Sequence, residues 1–154
     1  MWTVPGRMVK QTAPAPSFSR LISAMRSMSV LPELIMRELH GCTVIELRGE
    51  FDISFVPDIE LCLEGILAGP APVIILDLTQ TLFADVGTIR AVLGAERRAS
   101  ARGRRLVLAG PHSSVARLLD VTGFAWHFSI FPTATEAALR KGTAEDSAAW
   151  SPAD

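Results

Sequence analysis

Tyrosine is absent from the 154 residues, and lysine occurs only at positions 10 and 141. No aromatic residue interleaves with the arginines at 97, 98, 102, 104 and 105, so the stacking platform that single strands need is missing. A formal charge of −1 removes bulk attraction to nucleic acid or to an anionic membrane. No apolar run approaches the ~18 to 20 residues that would span a bilayer. Cysteine is scarce, and Cys42 and Cys62 show neither metal-ligand nor CxxC spacing. Each sits in an apolar pattern, so both are expected to be reduced core residues of an intracellular protein. His40, His112 and His127 have no cysteine, acid or second histidine at ligand spacing. The segment "LAGPHSS" lacks a phosphate-loop lysine, and its Ser113-Ser114 pair reads as a helix cap rather than a nucleophile. These gaps leave no catalyst, no metal site and no cofactor to expect.

Acids are also lacking from the first 32 residues, which hold Arg7, Lys10, Arg20, Arg26 and prolines at 5, 14, 16 and 32. They contain no continuous apolar core for a secretory signal. The expectation is a disordered basic tail or an upstream start codon wrongly assigned, with Met25, Met28 or Met36 as alternatives. An amphipathic targeting peptide has the same composition. Residues 142–154, "GTAEDSAAWSPAD" with its leading glycine, are small and polar and read as a second disordered tail. Residues 33–141 between them form one domain, long enough to bury about 65% of its unfolded surface.

Within that domain the periodicity predicts a hairpin of 34–39 and 42–49 turning at His40-Gly41. A helix through "DIELCLEGILA" follows, with Ser54 as its cap, Pro57 in its first turn and Gly69-Pro70 as its stop. "VIILDL" (73–78) and "RRLVLAG" (104–110) have the consecutive apolar residues of strands covered on both faces. Helices are expected from Val86 to about Ala101 and through "SSVARLLDVTG", then a strand at 127–131. A last helix would be capped by Thr133, with Glu136 completing a capping box. The class is α/β: a mostly parallel sheet of four to five strands, an antiparallel N-terminal edge hairpin and about four helices. The basic cluster falls at the end of one helix and the turn after it, where cations suit a helix C-terminus.

Four pieces, Gly49-Glu50-Phe51-Asp52, Leu76-Asp77-Leu78, Phe83 with Asp85, and Leu119 with Thr122-Gly123, occur in an order and spacing that resembles the STAS domain of bacterial anti-sigma-factor antagonists. The resemblance covers roughly residues 33 to 141. In typical members a helix opens on Asp-Ser-Ser/Thr-Gly-Leu, and its first serine is phosphorylated by a partner kinase that is itself the anti-sigma factor. Aligned without a gap, Asp85 matches the aspartate and Val86 stands at the phosphorylated serine. Gly87, Thr88 and Ile89 follow. The resemblance therefore implies a binding module, not an enzyme, that regulates transcription by sequestering an anti-sigma factor with a kinase-like ATP-binding fold. It implies a partner surface of Asp52, Ser54, Asp85, Val86, Gly87, Thr88 and Ile89, a cytoplasmic location and a place in stress response. No phosphorylation is expected, with Thr88 the only stand-in. A small-ligand- or stress-sensing STAS module, with an apolar mouth at Phe51, Phe55 and Phe83, is the alternative; oligomeric state is open.

The remaining acids have local readings. Asp85 suits a helix N-cap accepting from the amide of Gly87 or Thr88. Asp77 resembles the phosphoacceptor of a response-regulator receiver, but such a receiver also needs an acidic pair and a late lysine to hold magnesium and phosphate, and the "VLAGP" loop has no lysine. It is expected to form a turn with the backbone near Thr79.

Overall fold

The computed structural model describes residues 32–143, so the expected tails lie outside the described residues except for Pro32, Gly142 and Thr143, the last two bonded to Ala137 O and Arg140 O. Strands β1 (Glu33–Leu39) and β2 (Cys42–Phe51) form the antiparallel hairpin, with Leu39 opposite Cys42. His40 and Gly41 have φ of 49° and 81°, the left-handed pair that a two-residue hairpin turn needs.

Helix α1 (Val56–Leu67) buries Ile59, Cys62, Leu63, Ile66 and Leu67, one stripe at helical spacing. Ser54 does not cap it. A 3-10 turn, Ile53–Phe55, intervenes, and the capping carboxylate is Asp52. Phe55 stands at the N-cap of α1 without a side-chain bond. Pro57 brings no N–H to the first turn, so that turn has one donor fewer to satisfy.

Strand β3 (Val73–Asp77) is buried along its whole length. Ile74 and Leu76 face a core shared with α1 and the later helix α2, while Val73 and Ile75 face a second, smaller core. Thr43 to Glu46 of β2 run parallel to Ile74 to Asp77. Beyond Asp77 the chain turns and resumes as β4 (Thr81–Ala84), parallel to the far half of β2, with Phe51 opposite Ala84. The register slips between Gly49 and Glu50, where Gly49 takes φ 101°. Strand β4 raises the sheet to six strands rather than four or five; with β5 (Arg105–Ala109) and β6 (Ile130–Phe131) the spatial order is β1-β2-β3-β5-β6, with β4 also on β2.

Helix α2 (Val86–Ala101) and strand β5 (Arg105–Ala109) match their expected bounds to within a residue. Helix α3 (Ser113–Thr122) ends on Gly123 in the left-handed conformation. Neither Ser113 nor Ser114 caps it. Its N-cap is His112, Ser113 has φ 52°, and Ser114 Oγ donates to Leu82 O at 2.7 Å, tying α3 to β4. Strand β6 is only Ile130–Phe131, because Phe124–His127 wind into a 3-10 turn right after Gly123. Helix α4 (Ala134–Leu139) has its expected cap: Thr133 Oγ1 accepts from Glu136 N at 3.0 Å. It covers the second core, with Ala134, Ala137 and Ala138 against Val44, Ile75 and Val107.

The basic cluster serves a different helix from the expected one. Arg104 donates to Ile66 O at 3.1 Å and Leu67 O at the C-terminal end of α1, and to Ala71 O at 2.7 Å in the loop beyond it. Arg102 donates to Leu67 O at 3.3 Å, and Arg98 pairs with Glu64 at 2.6 Å. Both cysteines are free and buried. Burial pushes the Cys62 thiol up to about 12; it also raises Cys42, against the lowering charge of Lys141. Among the described residues no helix is long and apolar enough to cross a membrane.

Candidate functional site

The parallel pairing of β2 with β4 ends on neighbouring residues, Phe51 and Ala84. The chain leaves each strand through an aspartate. Asp85 N donates to Phe51 O at 3.2 Å, which fixes the two exits side by side. Asp52 and Asp85 both have extended backbone, and both cap the turn that follows.

At the first exit, Asp52 Oδ1 accepts from Ser54 N at 2.9 Å and from Ser54 Oγ at 2.5 Å. At the second, Asp85 Oδ1 accepts from Thr88 N at 2.9 Å and from Thr88 Oγ1 at 3.1 Å. The Thr88 hydroxyl also lies 3.3 Å from Phe51 O. The expected cap at Asp85 is therefore present. It answers one unpaired amide of the helix end and places a carboxylate where the dipole favours it.

Of the seven residues the resemblance points to, five are accessible here. Asp52 and Ser54 are exposed; Asp85, Val86 and Gly87 are half-buried. Thr88 and Ile89 turn inward, at 1% and 3% exposure, and support the surface from beneath. The 3-10 turn and the start of α2 touch: a Cβ on Gly87 would lie 3.3 Å from Ile53 Cδ1.

Two exposed apolar residues, Ile53 and Leu82, were not named from sequence, and of the three phenylalanines of the expected mouth only Phe83 is exposed. Phe51 and Phe55 are buried and meet edge to face at 5.6 Å. Those two rings form core, so the apolar mouth expected of them is not there. The signal for Ile53 and Leu82 was faint: each is an apolar residue beside a capping or turn residue, which reads equally well as core. The face at the two exits therefore carries exposed Asp52, Ile53 and Ser54 and half-buried Asp85, Val86 and Gly87.

Asp77 sits elsewhere, at the end of β3. Its Oδ1 accepts from Thr79 N at 3.0 Å and Thr79 Oγ1 at 2.6 Å, and its Oδ2 meets Arg37 at 3.4 Å. That is the expected turn. Among the described residues no group of three histidines, cysteines or acids could hold a metal ion.

A parallel strand pair thus feeds two turns, each capped by an aspartate. Comparison with known proteins identifies the family. The STAS domain model matches residues 33–137, and the chain belongs to that family. An anti-sigma factor antagonist from Mycobacterium paratuberculosis superposes with a TM-score of 0.65 at 18% identity, over 72% of this chain and 93% of that one. The anti-sigma factor antagonist SpoIIAA in its unphosphorylated form gives 0.60 at 27% identity, over 72% and 96%. A sulfate transporter family protein from Wolinella succinogenes gives 0.53 at 20%, over 63% and 81%. No curated protein matches by sequence.

Proposed function

We propose that this chain is an anti-sigma-factor antagonist-like binding module that has lost its phosphorylation switch. The observation that carries the reading is the identity of the first residue of α2. Val86 follows the capping aspartate directly and stands half-exposed on the face described above, at the position where the family resemblance puts a phosphorylated serine. The likeness to SpoIIAA, at 27% identity, favours an antagonist over a transporter segment.

The partner is an anti-sigma factor with a kinase-like ATP-binding fold, in the cytoplasm, and the module works by reversible contact rather than catalysis. It would present a complementary surface: an apolar patch for Ile53 and Val86, with cations facing Asp52 and Asp85. In such a pair a phosphate would add nearly two negative charges at the centre of the contact. Valine accepts none, so binding is insensitive to kinase activity, and the module acts as a constitutive antagonist or a decoy.

The test is a titration against the anti-sigma factor identified by capture from lysate. Val86→Asp places one desolvated charge beside Asp85 and should cost on the order of 2 to 5 kcal/mol of affinity. The helix dipole returns at most about 1 kcal/mol, and it does so equally in the free protein. Val86→Ser should bind nearly as well as the parent and gain sensitivity to the partner's kinase activity. If Val86→Asp binds as tightly as the parent, the start of α2 is not the interface.

A further inference from the structure

Strand β1 is an outer edge of the sheet: among the described residues it pairs with β2 and with no other strand. Its register runs unbroken from Glu33 opposite Arg48 to Leu39 opposite Cys42. The left-handed pair His40-Gly41 makes Leu39 and Cys42 the first hydrogen-bonded pair of the hairpin, since a tight turn bonds its first carbonyl to its fourth N–H. Antiparallel ladders then alternate bonded and non-bonded pairs. Arg37, Ile35 and Glu33 therefore turn their backbone groups towards β2, while Leu34, Met36 and Glu38 turn theirs outward, away from the sheet. Such an edge is a template for another strand. Native edges are commonly blunted by a bulge, a lysine or a proline, and the stretch Glu33–Leu39, ELIMREL, has none of these.

Side chains alternate as well. Leu34 and Met36 lie on the core shared with α1 and α2. Glu33, Ile35 and Arg37 share the opposite face, where Arg37 meets Glu46 at 2.7 Å and Asp77 at 3.4 Å. Two-fold pairing of this edge with the same edge of a second copy is antiparallel, and it must set outward-turned residues against outward-turned ones. The charges choose among the registers that remain. An axis on Arg37 opposes arginine to arginine, and an axis on Glu33 or Glu38 opposes like acids. An axis on Leu34 or Met36 puts a charge against Ile35. An axis on Ile35 sets Glu33 of each copy against Arg37 of the other, Ile35 against Ile35 and Leu34 against Met36. In that register Glu33 and Arg37 form a non-bonded pair, the closer kind, with Cα atoms about 4.5 Å apart. The guanidinium has donors enough to keep Glu46 and take the second carboxylate.

We infer that β1 is a self-recognition edge, joining a second copy of this chain into one continuous sheet about an axis through Ile35. The backbone groups of Leu34 and Met36 close the ladder, and the reciprocal Glu33–Arg37 pairs fix its register. One strand edge buries less than the ~1,200 Å² of a standard stable interface, so the association belongs in the micromolar range. The two β2 strands then run in opposite directions, and the exits at Asp52 and Asp85 of the two copies face away from each other. The dimer thus carries two separate contact surfaces. The pairing does not depend on what binds at those exits.

Sedimentation equilibrium of the full chain, from low-micromolar to near-millimolar concentration, should show a monomer–dimer equilibrium. Glu33→Lys and Arg37→Glu should each weaken it about tenfold, because each sets like charges opposite one another. Mixed one to one, the two variants should associate as tightly as the parent does with itself, because each new charge then meets an opposite one. Amide hydrogen exchange of the parent needs no variant: the Leu34 and Met36 amides should slow as concentration rises, while those of β3 should not. A chain that stays monomeric at near-millimolar concentration overturns the inference. Association that leaves the Leu34 and Met36 amides unprotected overturns it as well, since another face is then the interface. Protection independent of concentration does the same, because the edge is then covered within one chain. Variants that keep the parent's circular dichroism but do not associate when mixed refute the register.

Discussion

Replacing Arg104 with alanine should destabilise the domain far more than a surface arginine ordinarily would. Its guanidinium donates to Ile66 O and Leu67 O at the end of a helix that buries five core residues, and to Ala71 O in the loop after it. The last carbonyls of a helix have no partner within it and carry the negative end of the dipole. Hydrogen bonds to a charged group contribute about 1.5 to 3 kcal/mol each. The three here share one cation, and water can reach part of the helix end after truncation, so the sum is well below three independent bonds. A loss of about 3 kcal/mol is expected, or a fall in Tm on the order of 12 °C for a domain of this size. Arg104→Lys should recover less than half of it, because an ammonium lacks the planar fork that spans three acceptors. Urea denaturation followed by circular dichroism gives both numbers, with an unchanged m-value showing that the unfolded state is the same. An alanine variant within about 0.5 kcal/mol of the parent, or a lysine variant equal to it, would refute the idea that this side chain fastens α1.

Three further outcomes are expected. Gly110 has φ 65°, and a Cβ there would lie 2.4 Å from Thr79 Oγ1; Gly110→Ala should cost about 2 to 3 kcal/mol, and Thr79→Ala on top of it should cost less than the sum of the two. Burial raises the Glu46 carboxyl, but hydrogen bonds and charge from Arg37 and Arg48 outweigh this and hold it below its ordinary value. Its contribution to stability is therefore present above the ordinary carboxyl range and is lost as pH falls through the lowered value, so the gap between the parent and Glu46→Gln in denaturation midpoint should narrow from about pH 7 to about pH 3. Thr88 is 1% exposed and its hydroxyl is engaged by Asp85 and Phe51; incubation with the partner kinase and ATP should leave the intact mass unchanged, and a stoichiometric phosphate on Thr88 would contradict that.

Helix α2 was legible from sequence to both ends, because a capping aspartate opens it and Gly103 follows its close. Strand β3 was legible because both its faces are buried, which leaves no polar position to blur the run. Strand β4 was not. Its four residues show neither alternation nor a continuous apolar run, and two of them are exposed. The hint lay in its neighbour: β2 is ten residues long and β3 only five, so half of β2 needed another partner. Ser54 failed as a cap because an equally good acceptor, Asp52, stands two residues earlier. The arginines misled for a related reason: position in sequence put them at the end of α2, while the fold brings the end of α1 within their reach. The two exits at Asp52 and Asp85 were brought together on the expected fold alone, whereas exposed Leu82 and Phe83 belong to β4.

The hydrogen bonds that open α2 run from Thr88 to Asp85 and from Thr88 and Asp85 to Phe51 O. None of them uses the side chain at position 86. Folding therefore places almost no demand on which residue occupies the first turn's outward corner, so long as it tolerates helical geometry. Exchange of the residue at this corner should shift stability by only a fraction of a kcal/mol, as surface substitutions do. What the fold guards at this corner is the place of the side chain; its chemistry is left to selection by whatever binds there.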